Sequence, residues 1–391
     1  MAFLFKLMKR LVFLRLALPL TFLVFFSGSC KKSVFDKAEQ VLPYGELTSV
    51  PATTIPGNKM TIALKNSTSY PAMTLTNNDS ILMAINFFKQ AGDFGDADLA
   101  LFDGKKSAAY GWKNLRHLSK PAGSVSLMLP SLLKINEKLI ILVSLVKESS
   151  STSHLICKRS TDGGKSWSED KRMTSSDFYL TPGNNRLIFN NGRIIYPVSL
   201  IKGDVYANYN TSAIKIIYSD DLGVTWHESN TFRTNTGLFE PGVFKVDEVS
   251  NNLYLNIRSY EGSVFMLKSS DNGTTLEPGL YDLGLPSSEA PSTVCWVEKN
   301  TLIAIWSYHV KARKGDRDNR ENLAIAFSKD KGKTWKGAKY IESDSKYNFS
   351  YPTIVVNGDE AIMTYYKSPK NTNYQAVVVN RILLKNIIDK D

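Results

Sequence analysis

The chain has 391 residues, 48 Lys and Arg against 37 Asp and Glu, and a formal net charge of +11. The positive charge is spread through the chain with no basic block, and no nucleic-acid-binding motif accompanies it, which argues against a nucleic-acid partner. The four histidines are scattered and no Cys/His group has zinc spacing, so neither a metal nor a cofactor is expected.

The first thirty residues read as a targeting segment. Lys6, Lys9 and Arg10 form a basic start, Leu11 to Phe26 is an apolar run broken by Arg15, and Ser27-Gly28-Ser29-Cys30 follows. This order resembles a bacterial lipoprotein signal with Cys30 as the lipidated first mature residue. An ordinary secretory signal is the alternative; a transmembrane anchor fits less well, because the run is short and holds Pro19. Residues 31–51 then read as a tether, and 52–391 as a single domain. The expected location is the cell envelope, outside the cytoplasm, with the membrane reached through the lipid. Without the four basic residues of the signal, 44 basic and 37 acidic residues remain. A surplus of +7 suits an acidic glycan partner, and a monomer is expected. Cys157 and Cys295 sit in apolar runs and read as core thiols.

After the signal, short β-branched and aromatic runs recur. They include Thr61–Leu64, Ile81–Phe88, Leu139–Val146, Ile194–Val198, Ile214–Tyr218, Leu253–Ile257, Leu302–Trp306, Ala361–Tyr366 and Ala376–Val379, divided by Gly- and Asn-containing turns. No amphipathic helix of comparable strength appears, so an all-β fold follows. Four copies of S-x-D-x-G-x-[ST]-[WL] start at Ser160, Ser219, Ser269 and Ser328. A repeat at that period indicates a quasi-modular fold such as a propeller. The Asp carboxylate and Ser/Thr hydroxyls can accept backbone N–H groups across the bend, and Gly supplies a left-handed position.

The repeat is identified as the Asp-box, and the chain resembles the sialidase superfamily. That resemblance implies a six-bladed β-propeller of four-stranded antiparallel blades, with the boxes on the rim away from the catalytic face. Blades are expected near 69–118, 124–175, 182–233, 239–283, 287–341 and 347–387, the last closed by a strand near 58–66. A degraded box is expected around Asp103-Gly104. The implied chemistry is that of an exo-glycosidase acting on a terminal acidic sugar, sialic acid first. Arginines clamp the sugar carboxylate, a tyrosine attacks with a glutamate as its base, and an aspartate is the acid and then the base.

Carried over by position, the resemblance assigns the acid/base to Asp93, with Asp96 second, and the base to Glu240 in Phe239-Glu240-Pro241. Arg258 and Arg320 match the second and third clamp arginines. Two positions depart from the pattern. Ser69, in Ser69-Tyr70-Pro71, stands where the first arginine belongs. Phe349, in Phe349-Ser350-Tyr351-Pro352, aligns with the nucleophile, so Tyr351 or Tyr347 must supply the phenol from nearby. Arg186 and His309 are expected at the central face, as replacements for lost substrate contacts. Two alternatives stay open: a glycosidase for a different acidic sugar with its clamp rebuilt around Arg186, and a glycan-binding lipoprotein without turnover.

Overall fold

A computed structural model describes residues 41–62, 67–77, 79–90, 92, 94–105, 111–175, 177–247, 250–298, 300–310, 315 and 319–388. Cys30 and Asp93 lie outside them. Among the described residues, the regular elements are strands apart from one 3-10 turn, Leu384–Asn386. They form five sheets, ordered chiefly by antiparallel pairing of sequence neighbours. One sheet holds Leu253–Ser259, Ser263–Ser269 and Tyr281–Pro286. The next runs from Thr293–Glu298 to Thr334–Ser343, and another from Tyr347–Asn357 to Ala376–Leu383. The largest has eight strands and splits into two groups of four: Thr68–Asn77 to Lys113–Leu118, and Ser126–Lys134 to Lys171–Arg172. A single parallel bridge, Ala97 to Ser126, joins the two groups.

The core lies between the sheets. Ile303, Ile305 and Ile325 pack against Met363, Tyr365 and Val378 of the following sheet. Met83, Ile85 and Ala100 pack against Ile362, Val377 and Val379, so the first strands meet the last and the ring closes. Strands covered on both faces must be apolar throughout; Leu302–Trp306 are all completely buried. The expected closing strand is present: Asn58–Ile62 pairs antiparallel with Val377–Arg381. This is an all-β, propeller-like fold.

Within the segment expected to be a tether, residues 42–47 pair with two of the sheets. Leu42–Pro43 pairs in parallel with Tyr281–Asp282, and Glu46–Leu47 with Thr334–Trp335. Residues 41–55 thus strap the outer edges of two sheets. The crossing is tight: a Cβ at Gly45 would come within 2.4 Å of the Leu283 carbonyl oxygen.

All four boxes fold identically. In the first, the Gly164 N–H donates to Ser160 Oγ at 2.8 Å, and the Ser166 N–H donates to Asp162 Oδ1 at 2.9 Å. Asp221, Asp271 and Asp330 accept the matching backbone N–H of Thr225, Thr275 and Thr334 at 2.7–2.8 Å. Two residues are left-handed in each turn. Beside the glycine, Gly163, Leu222, Asn272 and Lys331 have φ of 78°, 60°, 57° and 64°. The closing side chain is fully buried in Trp335 and nearly so in Leu276, while Trp167 and Trp226 are half-buried. At Asp103, where a degraded box was expected, the carboxylate takes two 2.8 Å bonds from Arg116 on the next strand; residues 106–110, through which that box would run, lie outside the described residues. Among the described residues, Cys157 and Cys295 are free thiols, Cys157 buried and Cys295 partly so. Burial pushes each thiol up to about 12.

Candidate active site

The site grows from a backbone device repeated on the inner strands. Tyr70, Leu129, Glu240 and Tyr351 have φ of 50°, 53°, 47° and 56°, and each precedes a proline: Pro71, Pro130, Pro241 or Pro352. Strand register slips beside three of them, between Ser69 and Ala72, Met128 and Ser131, and Ser350 and Thr353. Such bulges re-aim a side chain, and proline is tolerated there because it has no N–H to pair. All four side chains line one cleft of about 260 Å³. Left-handed backbone at non-glycine residues costs energy and clusters at functional sites.

Glu240 is the hub. The Tyr351 phenol donates to its Oε1. Arg258 Nη1 donates to its Oε2 at 2.7 Å. Arg258 Nη2 donates to Tyr209 Oη at 2.9 Å and to Glu289 Oε1 at 3.0 Å, and the Tyr209 hydroxyl also donates to Glu289. Arg320 bonds to neutral oxygens instead: Nη1 to Tyr366 Oη at 2.9 Å and Nη2 to the Glu289 carbonyl at 2.7 Å. The Arg258, Glu240 and Glu289 side chains are 10%, 8% and 1% exposed. Burial, and then the charge of Glu240, hold the Tyr351 phenol well above the ordinary tyrosine range. Burial works against the Arg258 cation, but Glu240, Tyr209 and Glu289 outweigh it and the guanidinium stays well above its usual value.

Glu240, Arg258, Arg320 and Tyr351 therefore meet on one wall. Phe349 does not: it is fully buried among Ile303, Leu323 and Met363. The bulge separates the two aromatic residues, sending Phe349 to the core and Tyr351 to the cleft. Tyr347 stays outside the cleft lining, beneath Lys367 at 3.9 Å. Arg186, expected at the central face, is 4% exposed and does not line the cleft, but it lies close enough to Glu240 and Tyr351 for their charges to favour its cation. It follows the left-handed Asn185 (φ 53°) and runs into the fold, where Nη1 donates to Thr293 Oγ1 at 2.9 Å. Burial lowers it to about 10. His309 does not line the cleft either; its backbone N–H donates to the Pro286 carbonyl. Asp96 pairs with Lys120 at 3.0 Å instead of facing the cleft. Asp93 is outside the described residues, but its neighbour Phe94 lines the cleft.

Sequence reasoning missed Tyr70, Tyr209, Glu289 and Tyr366. A signal existed for Tyr70, because Ser-Tyr-Pro occurs at both 69–71 and 350–352. The others are held by contacts between segments far apart in sequence.

Comparisons with known proteins follow this geometry. Residues 82–364 match the family model described as a BNR repeat-like domain. A curated sialidase of Bacteroides fragilis (strain YCH46) is 27% identical over 246 residues, covering 59% of this chain and 43% of the relative. The chain thus matches less than half the length of that relative. Among solved structures, a Trypanosoma rangeli sialidase mutant displaying trans-sialidase activity superposes with a TM-score of 0.66 at 16% identity, covering 85% of this chain and 60% of the other. The intramolecular trans-sialidase of Ruminococcus gnavus gives 0.66 at 12% identity over 83% of this chain and 96% of its own. A Dyadobacter fermentans protein of unknown function gives 0.63 at 16% identity, over 85% and 99%.

Proposed function

This chain belongs to the BNR repeat-like domain family of the sialidase superfamily, and on that premise we propose that it is an exo-glycosidase releasing a terminal acidic sugar, sialic acid first, from glycans outside the cytoplasm. The observation that carries the reading is the Tyr351–Glu240–Arg258 chain of hydrogen bonds on a cleft wall shared with Arg320. We read the eight-stranded sheet as two blades, which makes six in all.

In this mechanism Tyr351 Oη attacks the anomeric carbon while its proton passes to Glu240. A phenol held above its ordinary range cannot ionise alone, so a base in contact is required. A carboxylate nucleophile would be repelled by the sugar's own carboxylate; a neutral phenol is not. The bond to the leaving oxygen breaks, and Asp93 gives that oxygen a proton. Water then attacks the same carbon, losing its proton to Asp93, and Tyr351 leaves and recovers its proton from Glu240. Two displacements retain the anomeric configuration. Arg320, bonded only to neutral oxygens among the described residues, has charge to offer the sugar carboxylate.

Incubation with sialyllactose tests the reading, with proton NMR following the first anomer released. Free sugar with retained configuration is expected; an inverted product would remove Tyr351 from its role. A second reading, binding without turnover, is favoured by one observation: Glu240 and Glu289 both bond to Arg258, leaving it less free to clamp an anion. It predicts saturable binding and no released sugar. For location, the proposal is a lipid anchor on Cys30. Cys30→Ala should move the protein from the detergent fraction to the soluble one, and unchanged retention would refute the anchor.

A further inference from the structure

We propose that Tyr70 is a specificity-determining residue of this cleft: its neutral O–H contacts the carboxyl group of the bound sugar and keeps the site from strongly preferring the free acid over its ester. The inference rests on the reading above, in which Tyr351 attacks a carbon that carries the carboxyl group. Such a group must lie within a bond or two of the Tyr351 hydroxyl, so the side chains flanking that phenol are the ones that meet it. They are Tyr70, whose ring centroid is 4.5 Å from that of Tyr351, and Tyr366, at 5.6 Å. Tyr366 is the side chain that Arg320 bonds at 2.9 Å. One flank therefore offers a guanidinium and the other a phenol.

The placement of Tyr70 is built into the fold. Both Ser-Tyr-Pro bulges carry a left-handed tyrosine, and one buried amide ties them together: Asn184 Nδ2 donates to the Pro71 carbonyl at 2.5 Å and to the Tyr351 carbonyl at 3.3 Å. Tyr70 is 7% exposed. With Gln375 it forms the partition between the main cleft and a neighbouring cavity of about 200 Å³ that Gly92, Thr372 and Asn373 also line. The cleft already holds cations: Arg320 bonds to neutral oxygens. Arg258 is bonded to two carboxylates, and Lys147 Nζ lies over the rings of Phe94 and Tyr179 at 4.8 and 5.8 Å. An uncharged donor at position 70 holds a carboxyl oxygen whether or not the group is ionised, whereas a second free cation there would reward the anion alone.

The test is calorimetric binding of N-acetylneuraminic acid and its methyl ester to the wild type, Tyr70→Phe and Tyr70→Arg, with melting curves to check folding. Tyr70→Phe keeps the ring and loses the hydroxyl; it should weaken acid and ester by a similar factor, about tenfold or less. Tyr70→Arg should raise the preference for the acid by about tenfold or more. An unchanged acid-to-ester ratio in folded Tyr70→Arg, or unchanged affinities in Tyr70→Phe, overturns the role of Tyr70 and leaves the sialidase reading standing. Failure of the wild type to bind either probe at millimolar concentration overturns the sugar class, and this inference with it.

Discussion

The two ends of a blade are built on opposite principles. Leu253 pairs with Ser269 at the box end, and Arg258 with Val264 at the cleft end of the same two strands. Five residues at about 3.3 Å each separate those ends by about 17 Å. At the box end, the bonds to the Ser and Asp side chains that shape the turn span two to four residues, as from Thr275 to Asp271 or Ser269 to Asp271. At the cleft end, Tyr351 reaches Glu240 across 111 positions and Arg258 reaches Glu289 across 31. The boxes are local, redundant and structural. The cleft is non-local, strained and chemical.

Breaking the cleft should cost activity and little stability, and the largest effect belongs to Tyr351. Tyr351→Phe keeps the ring against Tyr70 and Tyr366 but removes the oxygen proposed to attack. Turnover should fall at least about a thousandfold, with ligand affinity changed by a small factor and the melting temperature held. Residual activity near wild type would return the nucleophile to another group. Glu240→Gln comes next. It keeps an acceptor for Arg258 and loses the proposed base, so kcat should drop by about 10² to 10⁴. An unchanged kcat would mean that Glu240 only holds Arg258 in place.

That same contrast explains what the sequence made legible. The boxes were readable because eight consecutive residues specify each one, and strand positions because periodicity is local. The cleft was readable only through positions such as Glu240, Arg258 and Arg320, each set against a family pattern. Reading failed at bulges. Phe349 aligned with the nucleophile, but two residues later the left-handed Tyr351 turns the chain over and presents its own ring instead. A register slip inverts which side chains face inward, and nothing in a linear run of apolar residues announces it. Glu289 had no local signal, since its partners Tyr209 and Arg258 come from other segments.

At the box end the expectation reverses. Asp330 accepts the Thr334 N–H at 2.8 Å and its hydroxyl at 2.6 Å, and fixes the turn that buries Trp335. Asp330→Ala should destabilise the fold by about 1–2 kcal/mol, with kcat of the folded protein unchanged. Loss of activity at an unchanged melting temperature would mean that the two ends are coupled.

The smallest effect is a titration. Bonds from the Thr225 hydroxyl and N–H hold the Asp221 carboxyl down at about 2, against an unfolded value near ~3.9. A carboxyl whose pKa is depressed by folding stabilises the native state above the unfolded pKa, and that contribution fades as pH falls toward the folded one. Asp221→Asn cannot ionise, so it lacks the contribution at every pH. The melting temperature of the wild type should therefore exceed that of Asp221→Asn by a constant margin above about pH 5, and the margin should shrink steadily between pH ~4 and ~2. The side chain is exposed, so solvent screening keeps the margin small, and added salt should reduce it further. A margin that grows as the solution is acidified would have the wrong sign for a carboxylate staple. It would mean that the Asp221 turn is held by its backbone and by Ser219 alone, and that the four acidic residues at this end are spectators.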